Sequence, residues 1–220
     1  SNWIGTKTYW TERERTLAES INHLHSIKAD NAIDINFLGD RDAGDISVYS
    51  SHADADVILS DTVANSTGST SIVSEGGIYA GAAVSVGGLN ILLDATSSIG
   101  RSKFQSDDIN DDGWVNHKDV LIEPINIEQV DLPTAQFRAT SHLGEIHINE
   151  RTGSLRTNFI VAESDKFVSV SADSIVGIGS AGSHISGGSI SLDAKGGDID
   201  AISGPLRTDM SDSLSDKFNA

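Results

Sequence analysis

Residues 145–148 read Glu-Ile-His-Ile, residues 167–170 read Phe-Val-Ser-Val, and residues 189–192 read Ser-Ile-Ser-Leu. Ile146, Val168 and Ile190 stand 22 residues apart, and Ile148, Val170 and Leu192 repeat that interval. Apolar residues mostly alternate with small or polar ones, the period of two expected of a half-buried strand. A fixed interval of about 20–24 residues with more than one strand per interval predicts a parallel β-solenoid. A single turn cannot bury its inner face alone. Turns stacked at roughly 4.8 Å share one continuous core.

Working outward, similar runs fall at residues 33–37, 45–48, 56–59, 71–73 and 89–93. Gly, Asp, Asn and Ser punctuate them, Gly supplies 21 residues and Pro only 3. Aromatic content is 5%, as suits a narrow interior with little room for rings. A tandem β-sandwich is the main structural rival, but it would carry about seven strands per 100 residues without the 22-residue register. The expected architecture is therefore all-β, a parallel β-helix over residues 28–100 and 136–205. Residues 101–135 carry no rung pattern and read as an insertion, and residues 206–220 as a C-terminal tail. Residues 1–27 read as an N-terminal extension or hairpin. There Thr11 and Glu14 match a capping box and Leu17, Ile21 and Leu24 share a helical face, yet residues 6–16 alternate like an exposed strand.

The insertion contains the densest chemical signal. Residues 108–119 read Asp-Ile-Asn-Asp-Asp-Gly-Trp-Val-Asn-His-Lys-Asp. Oxygen donors stand at loop positions 1, 3, 5, 9 and 12: Asp108, Asn110, Asp112, Asn116 and Asp119. Gly113 occupies position 6, where an EF-hand-type loop turns sharply, and Trp114 at position 7 offers its backbone carbonyl. Val115 follows as an inward anchor. Calcium takes six to eight oxygens, so this spacing predicts one bound Ca2+. Asp119 replaces the usual bidentate Glu, a substitution that resembles the loops of dockerin modules; those carry two loops and this chain one. Calcium binding there would order a polar excursion with little core of its own.

Composition bounds the rest. The chain has 220 residues, no Cys, and a formal charge of −17 from 32 acidic and 15 basic residues. Disulfides and thiolate metal sites are excluded. Such a surface repels nucleic acid and anionic membrane and attracts divalent cations. No apolar run reaches the roughly 18 residues of a membrane span, so membrane insertion is not expected. Ser1-Asn2 reads as a tag remnant and no signal peptide opens the chain, so a fragment of a longer protein is expected.

Residues 28–39 (Lys-Ala-Asp-Asn-Ala-Ile-Asp-Ile-Asn-Phe-Leu-Gly) and 44–48 (Gly-Asp-Ile-Ser-Val) resemble the repeats of very large bacterial filamentous adhesins, the haemagglutinin-like and leukotoxin-like proteins. The likeness continues through residues 58–65, 68–72, 76–78 and 187–192, and covers most of the chain outside the insertion. The resemblance implies a right-handed β-helix shaft, secretion to the bacterial cell surface, and roles in adhesion, biofilm or virulence. It brings no catalytic residues. The calcium loop lies outside the family pattern.

Other motifs have plain readings. Gly177, Gly179 and Gly182 match G-x-G-x-x-G, but a strand rather than a helix is expected to follow, which favours a rung corner over a dinucleotide site. His52, Asp54 and Asp56 would share one strand face, an arrangement that could bind a metal or act on a glycoside but also typifies any solenoid rung. His23, His25, His142 and His147 read as surface residues. Asn65-Ser66-Thr67 is a formal glycosylation sequon. The function expected is a non-enzymatic structural and adhesive segment of a secreted surface adhesin, holding one Ca2+. Its partners would be neighbouring rungs of the full-length protein and a host-cell or matrix glycan or protein receptor. The alternatives are a polysaccharide-active β-helix enzyme and a calcium-dependent glycan- or protein-binding module, with an outward-facing Trp114 as a contact of the latter.

Overall fold

Parallel pairing between strands about one repeat apart organises the chain. The structure is a computed structural model that describes residues 25–29, 33–35, 44–53, 55–104, 120–179, 183–201 and 206–210. The first stack runs β1 (His25–Ala29), β3 (Ile46–Ser50), β5 (Ser69–Ser74), β8 (Asn90–Ala95), β12 (Gln136–Ser141) and β14 (Ser154–Val161). The first half of β14 then pairs with β16 (Ser174–Gly177) and on to β19 (Ile199–Ala201). Its second half pairs with β17 (Ser183–Gly187) and on to β20 (Leu206–Met210).

The second stack begins with β2 (Ile33–Ile35), β4 (Val57–Leu59) and β6 (Ile78–Ala80). It continues through β7 (Ser85–Gly88), β11 (Ile125–Gln129), β13 (Ile146–Glu150), β15 (Phe167–Ala172) and β18 (Ser189–Ala194). Single parallel bridges Ile78↔Ile99 and Ile99↔Ile146 join its two parts. The result is an all-β solenoid of about six turns, as the spacing predicts. Among the described residues, the one antiparallel pair is β9 (Arg101–Phe104) with β10 (Val120–Glu123).

Alternation becomes core because equivalent positions stack. Val57, Ile78, Ile99, Ile146 and Val168 form one buried column, with partly buried Ile190 after them. Val48, Ile72, Leu93, Ala139, Ile160 and Ile185 form another in the first stack. Among the described residues, the buried serines and Asn65 enter the interior with hydrogen-bond partners, as burial requires. The buried Ser50 and Ser74 hydroxyls both donate to the Ala55 carbonyl (2.9 and 3.0 Å), and Ser141 donates to that of Ser97 (2.6 Å). Asn65, first residue of the sequon, is 3% exposed. Its amide donates to the Gly44 and Ser69 carbonyls and to Thr70 Oγ1, while its Oδ1 accepts from the Gly68 N–H. Asn65 is thus a corner plug, closed to modification in the folded chain.

The insertion leaves one strand and re-enters the same strand. Ile99 stands opposite Ile146, and Ile125 stands opposite Ile148. Gly100 alone spans the position between, facing His147. Residues 101–124 are therefore the whole excursion. The chain rejoins the coil at Ile125, earlier than the expected return near Gln136, because Ile125 and Ile127 fill inner positions directly after Pro124.

Candidate functional site

Two register points show how much chain each turn spends at this corner. The first runs Val57↔Ile78↔Ile99↔Ile146, the second Val63↔Val86↔Ile127↔Glu150. The stretch between them grows from Val57–Val63 to Ile78–Val86 and then to Ile99–Ile127, before it contracts to Ile146–Glu150. Relative to that last and shortest corner, three successive turns carry excess chain. The excess culminates in the β9–β10 hairpin, and a cleft of about 510 Å³ opens beside it.

Gly100 makes the departure possible. Its φ is +69°, and a Cβ there would lie 2.8 Å from the His147 carbonyl oxygen and 2.9 Å from that of Glu123. Only glycine combines the left-handed turn with so close a backbone approach. Beyond it, Glu123 accepts from Arg101 Nε and from Lys103 Nζ (2.9 Å) across the hairpin. Those hydrogen bonds, Lys103 first, hold the Glu123 carboxyl below the usual carboxylate range.

A second set of bonds ties the hairpin to the coil. Glu145 Oε2 accepts from Ser102 Oγ (2.7 Å) and from His147 Nε2 (2.8 Å). Burial pushes the Glu145 carboxyl up, but the bonds from His147 and Ser102 outweigh it and leave it below its ordinary value. His147, expected at the surface by alternation, is fully buried, with Phe167 edge-on at 5.5 Å. An outward-facing position becomes interior here because the hairpin root covers it. His142 does lie at the surface, with Nε2 3.0 Å from Asp94.

The cleft has an apolar lining that stays open to solvent: Ile58, Leu121 and Ile122 are 43%, 44% and 39% exposed. Arg101 lies over the Tyr79 ring, 5.5 Å from its centroid. Burial raises the Tyr79 hydroxyl, Asp56 adds to the rise, and Arg101 opposes both. Asp56 Oδ1 accepts from the Gly77 N–H at 2.7 Å, and Asn126 Nδ2 donates to the Ala82 and Val84 carbonyls. The cleft can therefore offer apolar contact framed by polar groups already engaged in holding its walls.

His52 and Asp56 do not share a strand face. β4 begins at Val57, and the Ala55 N–H bonds back to the His52 carbonyl (3.0 Å), so this segment is a turn. His52 is exposed, Asp56 is half-buried at the cleft, and Asp54 lies outside the described residues. After Gly177, β17 follows and not a helix, with Gly179 N–H on Ser183 Oγ (2.9 Å). The expected ligands Asp108, Asn110, Asp112, Trp114, Asn116 and Asp119 lie outside the described residues, as does His23. What is described is their frame: β9 and β10 hold Phe104 opposite Val120, so residues 105–119 start and finish at one rung of a ladder. Among the described residues, no group of three or more His, Asp or Glu side chains could hold a metal ion.

Tyr79, Arg101 and Glu123 escaped the sequence reading. The usable signal was the growing interval at one corner, hidden because the strands on either side of it are short. No family model, curated protein or solved structure matches this chain.

Proposed function

We propose that the chain is a non-enzymatic structural and adhesive segment of a large secreted bacterial surface protein, a stiff spacer that displays one calcium-ordered hairpin. The observation carrying this reading is the register across the insertion. Ile99, Gly100 and Ile125 occupy consecutive positions beside β13, so the coil continues unbroken across the point where residues 101–124 are inserted. A device added to an intact shaft suits display.

Calcium would be held by the side chains of Asp108, Asn110, Asp112, Asn116 and Asp119 and the carbonyl of Trp114. A loop that encircles an ion must return close to its start, and the β9–β10 ladder supplies that closure at residues 104 and 120. Extracellular sites need affinities of only about 10⁻⁴–10⁻³ M. Calcium fills the site at those levels, neutralises part of the acidic surface and fixes the tip of the hairpin.

The open apolar cleft at the hairpin root supports contact with a matrix or host-cell glycan or protein. The Glu123 carboxyl, held below the usual carboxylate range by Lys103 and Arg101, is not poised as a proton donor. Calorimetric titration of the chelator-treated chain tests the calcium reading. One calcium site is expected, with little response to magnesium. Asp108→Ala and Asp112→Ala should each weaken binding at least tenfold while the far-ultraviolet circular dichroism keeps its β signature. Absence of calcium heat in the parent chain would remove the ion from the account.

A further inference from the structure

We propose that the outer face of the first stack binds a linear carboxylated glycan along a column of cationic and aromatic side chains, at a site separate from the hairpin and independent of calcium. The register defines the column: Arg138 of β12 stands beside Phe159 of β14, Phe159 beside His184 of β17, and His184 beside Arg207 of β20. Arg138, Phe159 and His184 each precede an inward residue, Ala139, Ile160 and Ile185 being buried next to them. Arg138 and Phe159 are half-buried, and His184 and Arg207 are exposed.

Charge and hydrogen bonding single this column out. The chain carries a formal charge of −17, yet Arg138 has no ion-pair partner among the described residues, and its buried Nε has no hydrogen-bond acceptor there. Arg156, also on β14, repeats the pattern. Its Nε is buried without a partner, and its only ion pair among the described residues is a 3.5 Å contact with the largely exposed Asp131. On an acidic protein, a half-buried arginine such as Arg138 without an ion-pair partner among the described residues leaves a charge that a carboxylate from outside can meet, and the planar fork suits a carboxylate at two points. Nearby on the first stack, Asp94 is already engaged by His142.

Geometry points to a sugar polymer. Parallel stacking sets one side chain every ~4.8 Å along the coil axis, so Arg138, Phe159, His184 and Arg207 span roughly 14 Å in a straight row. That step is close to the length of one pyranose in an extended chain. The Phe159 and His184 rings are stacked at 6.2 Å with 26° between planes, and offer flat surfaces to the C–H faces of sugars. Cations at both ends then meet carboxylates on sugars further along the polymer. A double-stranded nucleic acid would bring one phosphate per ~1.7 Å of its axis against the overall acidic surface, whereas a uronate chain brings at most one carboxylate per sugar.

The test uses the full chain, in chelator, with short oligogalacturonate as probe. A glucose oligomer of equal length and a single-stranded oligonucleotide serve as comparisons. Binding of the oligogalacturonate is expected, about fivefold weaker for Arg138→Gln and again for Arg207→Gln, and weaker by a similar factor for Phe159→Ala. Lys195→Gln, beside the second stack where its amine bonds to Asn149, should leave affinity unchanged. The arginine variants alter the surface and retain the fold, so they decide the matter even if Phe159→Ala does not fold. Three results would overturn the proposal: no binding of oligogalacturonate, binding that the arginine variants leave intact, or equal binding of the neutral oligomer. Tighter binding of the oligonucleotide would overturn it in favour of nucleic acid. Because chelator is present throughout, none of these outcomes depends on the calcium loop.

Discussion

Phe137→Ala lowers the unfolding free energy by about 4 kcal/mol, the largest single-residue loss expected in this coil. Phe137 is fully buried and is the bulkiest of the fully buried side chains among the described residues. It stands on β12 between Ile91 of β8 and Thr157 of β14, and the next position in the column is Gly177. The ring has room because smaller residues follow it in the column, and the strand register shifts directly after it, between Phe137 and Arg138. Truncation leaves a cavity whose walls are held by main-chain ladders on both sides, so the site cannot collapse to fill it. The Thr157 hydroxyl, which donates to the Phe137 carbonyl at 3.2 Å, keeps its backbone acceptor in the variant, so the loss belongs to packing. Urea unfolding measures it. A loss below about 1 kcal/mol would mean that the ring does not fill the interior.

Stability falls by about 3 kcal/mol as pH rises from about 4.5 to about 7, through Glu150. This residue ends the column of Val63, Val86 and Ile127, so a carboxyl occupies an inner position. It is 2% exposed. Burial pushes it up from the ordinary 4.5 to about 7, against bonds donated by the Gln129 and Thr152 N–H groups and the Thr152 hydroxyl. The sign follows from proton count. Between those two values the folded chain holds a proton that the unfolded chain has released, so raising pH favours unfolding until the folded group ionises near pH 7. Glu145 acts oppositely: its depressed carboxyl contributes stability that is lost as pH drops through its folded value. The two contributions thus have opposite signs, Glu150 favouring the folded chain on the acid side and Glu145 on the neutral side. Glu150→Gln should flatten the neutral limb in urea titrations at a series of pH values. An unchanged slope in that variant would assign the pH dependence elsewhere.

The fold was legible where turns carry no excess chain. From Ile146 through Val168 to Ile190 the turns of the second stack are equal in length, and the aliphatic column can be counted directly. Earlier turns of the first stack are unequal: the step from Ile46 to Thr70 is longer than the step from His25 to Ile46. Corner lengths vary there while strand positions do not. The return of the insertion was obscured for a related reason. Ile125-Asn126-Ile127 is a brief alternation directly after Pro124, too short to announce a strand without its neighbours. His147 was misplaced by the period-two rule, which assigns inside and outside but not what covers the outside. The hairpin root buries an outward histidine. Glu150 escaped notice for the converse reason, since a turn with no spare chain at the corner leaves a glutamate facing inward. The cation and aromatic column was invisible because Arg138, Phe159, His184 and Arg207 recur at unequal intervals, and only strand pairing makes them neighbours.

Excision of residues 101–124, joining Gly100 to Ile125, tests most directly whether the coil and the projecting hairpin are separate devices. The excised chain and its parent would be compared by circular dichroism and urea unfolding, each with calcium and with chelator. A cooperative β-rich unfolding transition that has lost all response to calcium is the predicted result, since Ile99, Gly100 and Ile125 already occupy consecutive positions beside β13. Loss of the β signature on excision would contradict the account and make the hairpin part of the coil's core.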